Sequence, residues 1–271
     1  MHTISTQKIK TQLFLALLFT FHLCRIASRK KKSMTSELIL YLEPTRSSTL
    51  STQVNSFFAL CRDQPWHNNE ALRYPPHITM VGFFDDPSPT LPPSSLLPSS
   101  PSVTEGSILD QLVQFLTHQI QQMMTVCASK SSLALVQGLI RPHQDAALIA
   151  IQPSPLLLDL IQSLKDRFPE LGLRLKRINH LSLCYWDDDG TRPPQPLSSF
   201  SHQMLRQERA QWTDQAVTLA LDQIHLLSSI AQGDGFLNES WDVVLYSIRN
   251  RDRSNGQPYP LEELKRWTLS L

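Results

Sequence analysis

His77-Ile78-Thr79 and His180-Leu181-Ser182 each place a histidine two positions before a hydroxyl residue, inside an apolar run that reads as a β-strand. Side chains alternate across a strand, so residues i and i+2 share a face. Each motif therefore presents an imidazole beside a hydroxyl, while Ile78 and Met80, or Leu181 and Leu183, turn toward a core. An imidazole titrates near neutral pH and can give or take a proton there. Two imidazoles supply an acid and a base, and two hydroxyls can hydrogen-bond the oxygens of an anion. That inventory fits cleavage of a phosphate ester without a metal ion. One such triplet alone is most simply a histidine on a strand, satisfied or exposed. The pair says more because the flanks agree: Tyr74-Pro75-Pro76 leads into His77 and an apolar run to Phe84, and Ile178-Asn179 leads into His180 and a run to Trp186.

Strands and helices must position these residues. A strand is expected over Leu38–Leu42, with a turn at Pro44. Thr49 or Ser51 caps a helix to about Cys61, in which Val54, Phe57, Phe58 and Leu60 share a face. The His77 strand runs to Phe84. Asp85 to Pro101 is Pro/Ser-rich and without period, so it reads as an exposed loop. Ser102-x-x-Glu105 is a capping-box pattern for a helix ending near Val126. Leu133–Ile140 and Ala147–Gln152 read as strands, and Ser154-Pro155 opens a helix to about Phe168. After the His180 strand the reading is a turn at Asp187–Gly190, a helix near Phe200–Trp212, and closing strands near Val217–Ser228 and Trp241–Arg249. Roughly a hundred residues separate the motifs, enough for each to own a lobe.

With both motifs and their flanks in view, the chain resembles the 2H phosphoesterase superfamily, whose signature is two H-x-[ST] motifs related by an internal repeat. His180-Leu181-Ser182-Leu183-Cys184-Tyr185 is similar to the H-L-S-L-x-Y of its plant and fungal cyclic phosphodiesterases, as is the opening Leu38–Pro44 to their first strand and turn. The resemblance spans roughly Glu37 to Arg249. It implies an α+β fold of two antiparallel-sheet lobes with flanking helices around a central cleft. It implies hydrolysis of a ribose cyclic phosphate, a 2′,3′-cyclic nucleotide or ADP-ribose 1″,2″-cyclic phosphate. His77 would be the acid for the leaving oxygen and His180 the base, with Thr79 and Ser182 on the phosphate and Tyr185 beside the base of the substrate. Strict alternation puts Tyr185 opposite His180, so that last role needs a bulge after Ser182. Two other readings stand: an RNA-end processing nuclease built on the same constellation, and a nucleotide- or RNA-binding module without catalysis.

A formal charge of +1 over 271 residues gives no global basic field, which favours a small nucleotide cyclic phosphate over a long nucleic acid, though RNA ends stay in view. Arg174, Lys176 and Arg177 form a local basic stretch that is either a solvated face or a phosphate-steering patch. Cys24, Cys61, Cys127 and Cys184 lack metal-type spacing and read as free thiols in a reducing compartment. Asp187-Asp188-Asp189-Gly190 lacks the alternating ligands of a calcium loop, and no phosphate loop, nucleophile elbow or zinc motif occurs. No metal or cofactor is expected. His118 falls in a helix, and His67, His143, His202 and His225 read as surface or core residues.

Residues 1–33 stand apart from a domain over 34–271. Lys8 and Lys10 precede an apolar run from Leu13 to Ile26, followed by Arg29-Lys30-Lys31-Lys32. The run is short for a membrane span of ~20 residues. It reads as a signal peptide, a signal anchor or an over-extended start, the last being preferred because Met34 begins a family-like N-terminus. The expected location is the cytoplasm.

Overall fold

The computed structural model describes residues 36–65, 69–86, 107–127, 133–186, 199–231, 237–248 and 258–269. Eight strands form among them: β1 (Glu37–Pro44), β2 (Ile78–Asp85), β3 (Ala134–His143), β4 (Ala146–Pro153), β5 (His180–Tyr185), β6 (Leu237–Asn238), β7 (Trp241–Ile248) and β8 (Leu261–Leu269). They make two four-stranded sheets, ordered β2-β1-β7-β8 and β5-β4-β3-β6, and all the paired neighbours are antiparallel. The helices are α1 (Thr49–Arg62), α2 (Ile108–Cys127), α3 (Pro155–Arg167), α4 (Ser199–Gln223) and α5 (His225–Ala231). The chain is thus α+β with antiparallel sheets.

One face of each sheet carries the helices. Leu38, Leu40, Leu42, Ile78 and Met80 of the first sheet join Ile149, Leu181 and Leu183 of the second in one buried cluster with α1 to α4. Trp241 ties the sheets further by donating from Nε1 to the carbonyl of Ala134 at 3.0 Å. The expected cap of α3 is present, the Ser154 hydroxyl accepting from Leu157 N at 3.3 Å. That of α1 is neither Thr49 nor Ser51 but Ser48, whose hydroxyl accepts from Ser51 N at 3.1 Å. Gly138, with φ of 137°, lies where β3 shifts register against β4, a backbone conformation that only glycine adopts without strain.

One expectation about the elements is corrected, and one strand is added. Val217–Ser228 is not a strand: α4 continues through it to Gln223 and α5 follows. Thr213, Ala216 and Ala220 of α4 are buried at helical spacing, followed by Ile224, Leu226 and Leu227, and that period outweighs the short β-branched run at Val217-Thr218. The expected strand at Trp241 is present as β7 and pairs with β1 in the first sheet. The C-terminal strand β8 escaped notice because an edge strand rich in Glu262, Glu263, Lys265 and Arg266 shows no clean alternation, and charge is how exposed edges avoid further pairing. The segment 1–33, the loop from 87 to 101, Ser102, Glu105 and Asp187–Gly190 lie outside the described residues, as do Cys24, His67 and the side chains of Cys127 and His202.

Candidate active site

His77 immediately precedes β2 and His180 opens β5, and both strands stand at the edges of their sheets. One stretch of chain brings these edges together. Gly82 N donates to Arg174 O at 2.9 Å and Lys176 N to Met80 O at 3.1 Å, with Val81 bridging Leu175. Three residues on, Asn179 O accepts from Ile151 N of β4 at 2.9 Å. The residues leading into His180 are therefore hydrogen-bonded to the strand that follows His77. A Cβ at Gly82 would meet Lys176 Cε at 2.8 Å, which the flexible lysine could yield, and the Arg174 carbonyl at an ordinary 3.6 Å.

Each imidazole is anchored at Nδ1 by a carbonyl oxygen. His77 Nδ1 lies 2.8 Å from the carbonyl of Pro75, which can only accept, so Nδ1 carries the proton and Nε2 the lone pair in the neutral ring. Thr79 Oγ1 stands 3.2 Å from that Nε2 and donates to it. His180 Nδ1 is 2.9 Å from Asn179 Oδ1 and donates to it, which leaves Nε2 as its working atom. Burial pushes the His77 pKa down to about 4; the charge of nearby His180 adds to this, against the raising effect of the Pro75 carbonyl. Burial also lowers His180, whose setting is more open.

The platform under His77 is aromatic. Tyr41 faces Thr79 across the β1–β2 ladder and stacks on the His77 ring, with centroids 3.8 Å apart and planes at 26°. Tyr74 meets the same imidazole edge-on at 5.5 Å. Tyr246 packs on Tyr41 at 5.7 Å and Tyr259 on Tyr74 at 4.9 Å. Tyr185 is the fifth: its phenol is near enough to those of Tyr41 and Tyr74 to raise both their pKa values, though burial is the larger cause. All five tyrosines of the chain thus gather on one side of the first sheet and its border.

The bulge that Tyr185 requires is present. Leu148 pairs with Ser182 but Ala147 with Cys184, so Leu183 is the extra residue. His180, Ser182 and Tyr185 are half-buried while Leu181, Leu183 and Cys184 are buried, so the bulge resets the alternation. Asn69 holds it, a residue the sequence reading missed. Its Nδ2 donates to Leu183 O at 2.8 Å, and its Oδ1 accepts from Tyr185 N and Ala71 N, both at 3.0 Å. Asn69 is 1% exposed, so one buried amide clips the bulged strand to the turn that leads into Tyr74-Pro75-Pro76-His77. No local pattern could have revealed it, because its partner lies 114 residues away.

Arg174, Lys176 and Arg177 are exposed, and Arg174 Nη2 donates to Phe83 O at 3.1 Å beside β2. Cys61 and Cys184 are buried free thiols whose pKa values burial raises, that of Cys184 to about 12. His118, His143 and His225 are exposed. Among the described residues no helix is long and apolar enough to cross a membrane, and no cluster of His, Cys, Asp and Glu could hold a metal ion. No protein-family model matches the chain, and no curated protein gives a significant match.

Proposed function

We propose that this protein is a cyclic phosphodiesterase with the two-lobed 2H fold, opening a ribose cyclic phosphate to a phosphomonoester without a metal ion. The observation that supports the reading is the two histidine–hydroxyl motifs at neighbouring sheet edges, each imidazole anchored at Nδ1, with the Thr79 hydroxyl 3.2 Å from His77 Nε2. Water attacks phosphorus and loses its proton to one Nε2, while the other Nε2 protonates the ribose oxygen as its bond to phosphorus breaks. The environment favours His77 as base and His180 as acid, the reverse of the order that the resemblance implies. His77, held neutral by burial, keeps a lone pair on Nε2, and the more open His180 takes up a proton more readily. When substrate arrives, the Thr79 hydroxyl turns from Nε2 to a non-bridging oxygen, freeing the lone pair for water. Ser182 donates to the same phosphate, where charge accumulates in the transition state. Tyr185, brought round by the bulge, stands beside the base.

The test is a panel of nucleoside 2′,3′-cyclic phosphates and a diester with a 4-nitrophenolate leaving group. His77→Ala and His180→Ala should each lose ~10²–10⁴-fold on the cyclic substrates while remaining folded. Together they should lose less than the product of the two. The nitrophenyl ester needs no acid, so it should rescue His180→Ala and not His77→Ala. Near-parental turnover by either folded variant refutes paired catalysis, and rescue of His77→Ala alone restores the opposite order.

A further inference from the structure

Behind Tyr74 and Pro75 lies a cavity of about 390 Å³ that contains neither histidine. Three arginines from three separate segments line it: Arg46 after β1, Arg62 in the last turn of α1, and Arg73 in the short turn before Tyr74. Its one acidic lining residue is Glu263. That carboxylate is already engaged, receiving Arg266 Nη2 and Arg46 Nη2, each at 2.8 Å. The lining itself thus holds three arginines against one carboxylate, while behind it Arg266 is shared with Glu43 and Asp242, and Arg73 faces Glu70.

The arginines are held differently. The Arg73 side chain is 9% exposed, with Nη1 donating to the Tyr259 hydroxyl at 3.3 Å and Nε 3.4 Å from Glu70. Arg46 is 75% exposed, so its guanidinium can leave Glu263 for a ligand at little cost. Arg62 sits at a helix C-terminus, where the backbone dipole favours a cation. A fixed guanidinium flanked by two adjustable ones suits an anion with several oxygens and more than one charge, because each planar fork can take two of them. Tyr246, Tyr259 and Phe58 supply an apolar flank beside the charge.

We propose that this cavity is a second anion site, distinct from the histidine cleft, that takes a compact phosphate or polyphosphate, free or carried on a nucleotide. The site stands on its own lining and holds whatever reaction the cleft performs. It shares a wall with that cleft: the Tyr74 ring touches His77, and the Pro75 carbonyl fixes His77 Nδ1.

The experiment titrates inorganic pyrophosphate into the full chain by calorimetry at pH 8, where both cleft imidazoles are neutral. Thr79→Ala/Ser182→Ala removes the cleft hydroxyls and should leave the affinity within about twofold. Arg62→Glu, at an exposed helix end, should weaken binding at least tenfold with an unchanged circular dichroism spectrum, and Arg62→Lys should retain most of it. ADP in a parallel titration separates the two sources: tighter binding than pyrophosphate points to a nucleotide against the tyrosine wall, equal binding to the free anion. Loss of binding in Thr79→Ala/Ser182→Ala, or unchanged binding in Arg62→Glu, overturns the proposal, as does a parent chain that binds neither anion.

Discussion

Asn69→Ala is the sharpest probe of how the two motifs are held in register. The side chain makes three hydrogen bonds, to Leu183 O, Tyr185 N and Ala71 N, at a position only 1% exposed. A typical hydrogen bond contributes ~0.5–1.5 kcal/mol net, and a buried backbone group left without a partner costs ~1–3. Three bonds, with some relief from water entering the vacated space, give an expected loss of about 2–4 kcal/mol. Urea denaturation followed by tryptophan fluorescence measures it directly. The damage should also reach function, because the bulge that turns Tyr185 toward His180 would lose the group that pairs with its displaced backbone. We therefore expect kcat/KM on a cyclic phosphate to fall at least tenfold under conditions where the variant is still folded. Asn69→Asp keeps both acceptor contacts but sets an oxygen against the Leu183 carbonyl, so it should be destabilised as well. An Asn69→Ala chain within about 0.5 kcal/mol of the parent, with parental kinetics, would refute the reasoning.

Stability should fall as pH drops from about 6.5 to 4. The unfolded imidazole of residue 77 binds a proton near 6.5, whereas the folded one waits until about 4, so unfolding takes up a proton throughout that window. The loss amounts to roughly 3 kcal/mol at most; His77→Phe, which can still stack on Tyr41, should flatten it, and an equally steep variant curve would assign the effect elsewhere. For a mononucleotide 2′,3′-cyclic phosphate, kcat/KM should respond weakly to salt, since few counterions are released. A strong preference for a single-stranded oligonucleotide with a steep salt slope would instead identify an RNA-end nuclease. A chain beginning at Met34 should be monodisperse and fully active; aggregation of that chain while the full one is stable would show that residues 1–33 pack on the domain.

What could be read from the sequence was what depends on neighbours in the chain. The apolar runs around both motifs read as strands, and the Ser154-Pro155 pair marked a helix start; the bulge after Ser182 was only a condition of the role that the resemblance implies for Tyr185. What could not be read depends on distant partners. Tyr41 carries no local sign that it will lie under His77, nor Asn69 that it will bond across to β5. The strand expected at Val217–Ser228 shows the complementary failure, since Ala216 and Ala220 are too small to signal an apolar face although both are buried against the core.

The buried cluster that runs unbroken beneath both sheets constrains motion as well as stability. Lobes with separate cores can swing about a hinge and close on what they bind, whereas a shared core ties them into one cooperative body. Parting the two histidines would mean exposing Met80, Ile149 and Leu183 to water, a cost on the scale of unfolding itself. On the proposed function, both histidines stand on this one body, so a substrate phosphate would meet a site formed before binding rather than one closed around it.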